Sequence, residues 1–313
     1  MTRASEDMPA DAPMLADGLA DYLAAVRRAP RPPLPIEAAR LAADRDAHRI
    51  AYPRPAGMRV TDSHVVSGNR ETPVRLYRPA GAEGRPAIVY LHGGGFTIGS
   101  IESYDGLASA LAEACGVTVI SVHYARLPES TPRATLEQCH DVLRWALRMA
   151  DVLEIEARRI AVAGDSAGAF LAAHLATLAR DRVACQLLCY GLYDLDPARP
   201  AYACVRDPAL PRPVIEAMLA AYQASADRLP APLGLADLSG LPPAILLGAE
   251  HDPLCGEGLE YAERLRGAGI TIEARVAPGM CHGFLRGVAF SAPVRAEMRW
   301  LGATFRQFLE RQG

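Results

Sequence analysis

The chain contains no lysine: all 33 of its basic side chains are arginine, set against 36 carboxylates for a net charge of −3. Without an ε-amine there is no Schiff-base chemistry, and no phosphate-cradling loop can end in Gly-Lys-Ser/Thr. Basic tracts are also missing, which argues against a nucleic-acid partner. No apolar run is long enough to span a bilayer. Residues 1–15 carry acids and prolines where a secretory leader would be first basic and then apolar, so a soluble, cytoplasmic protein is expected. Neither His-x-x-x-His nor Cys-x-x-Cys occurs, and neither a metal nor another cofactor is expected. The seven cysteines have no regular spacing. Those inside apolar runs, such as Cys185-Gln-Leu-Leu-Cys189, read as reduced, buried small side chains.

What is present is apolar and periodic. Half of the 313 residues are hydrophobic, enough for one large core in a single α/β architecture with insertions. Apolar stripes at helical spacing cover residues 15–26 and 36–50, and the proline-rich stretch 30–35 between them reads as a rigid linker. Strand patterns follow at 58–66, 74–78 and 87–91. Beyond these, helices at 101–114, 136–150, 167–179, 258–266 and 293–309 alternate with strands at 117–123, 159–163, 185–190, 244–249 and 270–276. Short apolar strands alternating with amphipathic helices predict a mostly parallel central sheet with helices on both faces, whose site lies at the carboxyl ends of the strands. Residues 194–241, rich in proline and alanine with one helical piece at 214–223, interrupt this rhythm. They are expected to lie over the strand ends as a lid.

Three motifs fall at predicted strand ends. Gly164-Asp165-Ser166-Ala167-Gly168 stands between a strand and a helix, the G-x-S-x-G context in which a nucleophilic serine occupies a sharp turn and glycines relieve crowding. Asp165 is expected to accept backbone N–H bonds and hold neighbouring loops. After strand 87–91 comes His92-Gly93-Gly94-Gly95-Phe96, where consecutive glycines let amides face a cavity, as an oxyanion requires. His92 reads as a loop-organising residue. His282, in Gly279-Met280-Cys281-His282-Gly283-Phe284, follows the last strand and supplies the base. Asp252, in Glu250-His251-Asp252-Pro253-Leu254, satisfies the order Ser, Asp, His. Glu250 and His251 beside it read as loop residues, and His123, His140 and His174 as packing or surface residues. Phe170 faces either the pocket or the core beneath the elbow.

At these residues the sequence resembles the hormone-sensitive-lipase family of α/β-hydrolases from about residue 34 onward. Its GDSAGA, YGLY (190–193) and GAEHDPL (248–254) stretches are most similar to those of bacterial acetyl esterases. The resemblance implies the α/β-hydrolase fold with a helical cap, divided as N-terminal cap helices 1–55, catalytic domain 56–313, and a cap insertion at about 194–241. It implies Ser166 as nucleophile, His282 as base, Asp252 as its partner, and Gly94, Gly95 and Ala167 as oxyanion donors, with His92, Gly93 and Asp165 in support. The expected reaction is hydrolysis of short-chain, acetyl-like esters of small molecules through an acyl-enzyme. An N-acetyl amide hydrolase and a non-catalytic small-molecule binder are the rival readings, and a homodimer is left open. Three departures stand out. Arg126 is shifted by one place from the family's arginine, Ala169-Phe170 replaces Gly-Asn, and Gly256 stands where an acid is common.

Overall fold

The computed structural model describes residues 13–26 and 34–311. Residues 1–12 and the Pro30–Pro33 part of the expected linker lie outside them. Eight strands form one sheet: β1 (Arg59–Ser67), β2 (Arg70–Arg78), β3 (Arg85–Leu91), β4 (Thr118–Val122), β5 (Ile155–Asp165), β6 (Gln186–Cys189), β7 (Ala244–Ala249) and β8 (Ile272–Ala277). Their spatial order is β1-β2-β4-β3-β5-β6-β7-β8. The β1–β2 and β2–β4 pairs are antiparallel and all the others parallel. A two-residue loop, with Gly68 at φ 58°, joins β1 to β2 as a tight hairpin requires.

Every residue of β4, β6 and β7 is buried, because helices cover both faces. Along β3 the period of two is visible in the packing. Ala87, Val89 and Leu91 enter one core cluster, and Ile88 and Tyr90 enter the other. The first face is covered by α4 (Pro132–Arg148), α5 (Ala167–Leu178) and α8 (Cys255–Gly267). The second carries α1 (Leu19–Val26), α3 (Asp105–Cys115) and α9 (Ala292–Glu310). Thr131 caps α4 by accepting from the Ala134 amide, and Ser291 caps α9 by accepting from Val294. At Gly302 of α9 a Cβ would stand 2.1 Å from the Ala114 carbonyl oxygen, so the absent side chain sets how closely α9 lies on α3.

Two segments depart from the expected pattern. In α2 (Ile36–Ala47) no residue is fully buried despite its apolar spacing. It is held instead by Arg40, which donates to the carbonyls of Thr97 and Leu127 and pairs with Glu129. Between β6 and β7 the chain leaves the sheet and carries a short α6 (Pro200–Cys204) as well as the expected α7 (Arg212–Ala224). Tyr222 of α7 packs against Phe96 and Phe170, at ring separations of 4.9 and 5.6 Å. Among the described residues no helix is long and apolar enough to cross a membrane.

Candidate active site

Strand β5 ends at Asp165 and α5 begins at Ala167, leaving Ser166 alone at the corner with φ 53° and ψ −124°. That backbone is strained for an L residue and persists because its surroundings over-determine it. The Ser166 amide donates to Cys189 at the end of β6. The flanking glycines are forced by contact: a Cβ on Gly164 would lie 2.2 Å from the Gly168 oxygen, and one on Gly168 would lie 2.0 Å from the Leu91 oxygen. The helix therefore meets the sheet more closely than alanine would permit.

The loops after β7 and β8 bring Asp252 and His282 to this corner. Ser166 Oγ lies 2.8 Å from His282 Nε2, and His282 Nδ1 lies 2.7 Å from Asp252 Oδ2. Asp252 Oδ1 accepts the Leu254 amide at 2.8 Å, so both carboxylate oxygens are engaged. Burial disfavours a charged imidazole at His282. The negative charges of Asp252, Asp207 and Asp165, with the Asp252 hydrogen bond, outweigh that and raise its pKa above the ordinary 6.5. The arrangement can take a proton from the serine hydroxyl while the aspartate balances the resulting imidazolium.

The glycine loop after β3 is stapled to the elbow by Asp165, whose Oδ1 accepts the Gly93 amide at 2.8 Å and the Tyr90 hydroxyl at 2.6 Å. Burial pushes this carboxyl up to about 6. His92 is fully buried and stacked on Tyr124, with ring centroids 4.3 Å apart. Its Nδ1 meets the Gly93 carbonyl at 2.8 Å, and burial pushes it down to about 3, so it stays neutral. The Gly94 carbonyl accepts from Thr97 and Ile98, which curls the loop. Among the described residues no acceptor faces the amides of Gly94 and Gly95. Both glycines line a cavity of about 610 Å³ together with Ser166 and His282. The Ala167 amide, first in α5, has no intrahelical partner to find.

Several residues fall elsewhere. Glu250 accepts the Gly279 amide at 2.6 Å, and His251 meets the Met14 carbonyl at 3.1 Å; both serve the loop around Asp252. His174 meets the Pro230 carbonyl at 2.9 Å, away from the site. Phe170 is fully buried among Phe96, His174 and Tyr222, which settles its direction toward the core. Arg126, shifted from its usual place, donates to the Gly99 carbonyl. Buried Glu257 accepts the Tyr193 amide and the Tyr202 hydroxyl, each at 2.7 Å, tying α6 to α8.

One residue of the site went unread in the sequence. Asp207, from the excursion between β6 and β7, accepts the His282 amide at 2.6 Å through Oδ2 and the Ala209 and Leu210 amides through Oδ1. Its only sequence signal is an Asp-Pro pair in an irregular stretch, which marks a turn and nothing more.

A serine on a strained strand-to-helix turn, relayed through histidine to aspartate at the carboxyl ends of a mostly parallel sheet, defines an α/β-hydrolase. Residues 88–286 match the family described as having the alpha/beta hydrolase fold. Carboxylesterase NlhH of Mycobacterium tuberculosis is 40% identical over 243 residues, covering 74% of this chain and 76% of that protein. Ethyl acetate hydrolase of Pseudomonas putida is 36% identical over 247 residues, covering 72% and 76%. Among solved structures, a hyperthermophilic esterase from the archaeon Pyrobaculum calidifontis superposes with a TM-score of 0.84 at 31% identity, covering 94% of this chain and 99% of that one. The chain belongs to the hormone-sensitive-lipase-like family of α/β-hydrolases. By class it is a carboxylic ester hydrolase.

Proposed function

We propose that this enzyme hydrolyses short-chain, acetyl-like esters of small molecules through a covalent acyl-enzyme on Ser166. The observation that carries the reading is the unbroken relay from Ser166 Oγ to His282 to Asp252, at 2.8 and 2.7 Å, opening on a cavity that the unpartnered Gly94 and Gly95 amides share. Ser166 Oγ attacks the acyl carbon as His282 Nε2 takes its proton. The carbonyl oxygen becomes an oxyanion held by the amides of Gly94, Gly95 and Ala167. His282 returns the proton to the departing alcohol, then draws one from water, whose attack releases the acid and restores the serine. Asp252 fixes the imidazole and offsets its transient charge.

The short acyl preference draws support from ethyl acetate as the substrate named for the Pseudomonas relative, and from an acetyl esterase of Salmonella paratyphi B that is 32% identical over 223 residues. Helices α1, α2, α6 and α7 serve in this reading as the cap that completes the pocket. Tyr22 and Leu23 of α1 and Met218 of α7 line it, which agrees with that role.

A fluorophosphonate should label Ser166 stoichiometrically. Ser166→Ala and His282→Ala should each abolish p-nitrophenyl acetate turnover while leaving the thermal unfolding midpoint near wild type, since the two groups act as one unit. Labelling at another residue, or turnover persisting in Ser166→Ala, would refute the assignment. Running p-nitroacetanilide beside the ester distinguishes ester from amide hydrolysis.

A further inference from the structure

Two residues beyond the His282-Gly283-Phe284 motif, a short 3-10 turn (Phe284–Gly287) brings Arg286 to the wall of the catalytic cavity, beside Tyr22, Tyr104 and His282. Its guanidinium carbon lies 4.8 Å from the centre of the Tyr104 ring, and Nη2 makes a long 3.3 Å bond to the Ser103 carbonyl. Nε is buried with no acceptor. Among the described residues no carboxylate lies within 4.0 Å of this guanidinium. Some other enclosed arginines do have acids as partners. Arg75 pairs with Asp62, Glu102 and Asp105, and Arg40 pairs with Glu129. Asp165, on the same cavity wall, already has Oδ1 bonded to Tyr90 and Gly93.

A guanidinium offers five N–H donors in a planar fork, and leaving the buried Nε–H without an acceptor is costly. A carboxylate is the group whose geometry fits that fork. The direction of approach is set by charge. In a second cavity that Arg286 also borders, Asp44, Glu102 and Asp105 line the wall with Arg54 and His48, so acids predominate beside Arg286 there. Among the described residues, the lining of the catalytic cavity has one carboxylate, Asp165.

We propose that the Arg286 end of the catalytic cavity is an anion subsite, and that the substrates this enzyme favours carry a carboxylate besides the scissile ester. The inference rests on the esterase reading. The competing view is that Arg286 only packs on Tyr104 and offsets the charge of Asp165.

Two pairs of esters separate them: monomethyl succinate with methyl butyrate, for an anion on the acyl side, and 3-acetoxybenzoate with phenyl acetate, for one on the alcohol side. The quantity read is the ratio of kcat/KM for the anionic ester to that for its neutral partner. Arg286→Gln should lower this ratio about tenfold or more in at least one pair, with Arg286→Lys falling between. A packing or charge-balancing role would slow both members alike, so a smaller change in both pairs overturns the subsite. If Arg286→Gln fails to fold, the wild type decides: a ratio above one in either pair supports the subsite, and ratios below one in both overturn it. Absence of turnover on all four esters would instead refute the esterase reading itself.

Discussion

At the scale of single residues, the carboxylates placed around His282 raise its pKa against the opposing effect of its burial. Asp252 lies 2.7 Å from Nδ1, and Asp207 holds the backbone amide of the same residue at 2.6 Å. The two acids also repel each other. Asp207 itself is raised above the usual carboxylate range, by burial and by the charge of Asp252. Because the base must be neutral to accept the serine proton, activity should be lost as pH falls through the raised pKa of His282, above 6.5. Asp207→Asn removes one of the charges that raise it while keeping a carbonyl oxygen to accept the His282 amide. The acid limb of kcat/KM against pH should therefore move to lower pH in this variant. A midpoint that stays put or moves upward would show that Asp207 acts on His282 through geometry alone. Asp252 and Asp207 were unequally visible before the structure. The first follows a strand and precedes the last histidine in the order that the chemistry demands, whereas the second lies in a stretch without periodicity. Its role depends on a contact across 75 residues that no local pattern encodes.

At the scale of elements, apolar runs reported strands well because β4, β6 and β7 are buried along their whole length. Boundaries were less legible. Helix α3 begins only at Asp105, since Ser100 and Ser103 bond each other's backbone and hold a turn where the pattern suggested helix. Strand β5 reaches from Ile155, through charged residues that apolar spacing does not flag. Five-residue α6 is too short to carry a period, and α2 keeps its helical spacing without the burial that spacing implied, because Arg40 anchors it by polar contacts. The glycine loop between β3 and α3 was legible as chemistry but not as shape. Gly94 adopts φ 117°, and a Cβ there would meet the Ile98 carbonyl oxygen at 2.3 Å. Gly94→Val must therefore displace the loop and with it the amides that face the cavity. The expected loss is about 3 kcal/mol of transition-state stabilisation or more, roughly hundredfold in turnover. Gly95→Ala should cost less: its φ of 57° strains an alanine, but the added Cβ would meet the flexible Met218 side chain, at 3.1 Å, rather than backbone. Steady-state kinetics beside thermal unfolding checks both. A Gly94→Val enzyme that is stable and turns over normally would remove the loop from the mechanism.

At the scale of the whole molecule, the pocket belongs to no single layer. The sheet and α5 supply its floor with Ser166, the loop after β8 supplies His282, and α1 and α7 close over it with Tyr22, Leu23 and Met218. In the proposed reading, substrate size depends on how α7 sits on the core. Tyr222 anchors that helix to Phe96 and Phe170, and its hydroxyl donates to the Leu229 carbonyl at 2.8 Å. One turn earlier, Met218 lies against Gly95, within the space beside the oxyanion loop. An unobstructed apolar pocket would gain about 0.8 kcal/mol for each methylene buried, so kcat/KM would climb steadily with acyl length. With Met218 in place the proposed enzyme should instead peak between acetyl and butyryl and decline toward octanoyl on p-nitrophenyl esters. Met218→Ala removes the obstruction without touching Ser166, His282 or Asp252, and should shift the maximum to longer chains while the Tyr222 anchor holds α7 in position. A wild-type optimum at octanoyl or beyond would refute the short-acyl preference and leave the serine mechanism intact. An optimum at butyryl that does not move in Met218→Ala would place the size limit elsewhere in the cavity wall, with Leu210 and Leu23 the next side chains to shorten.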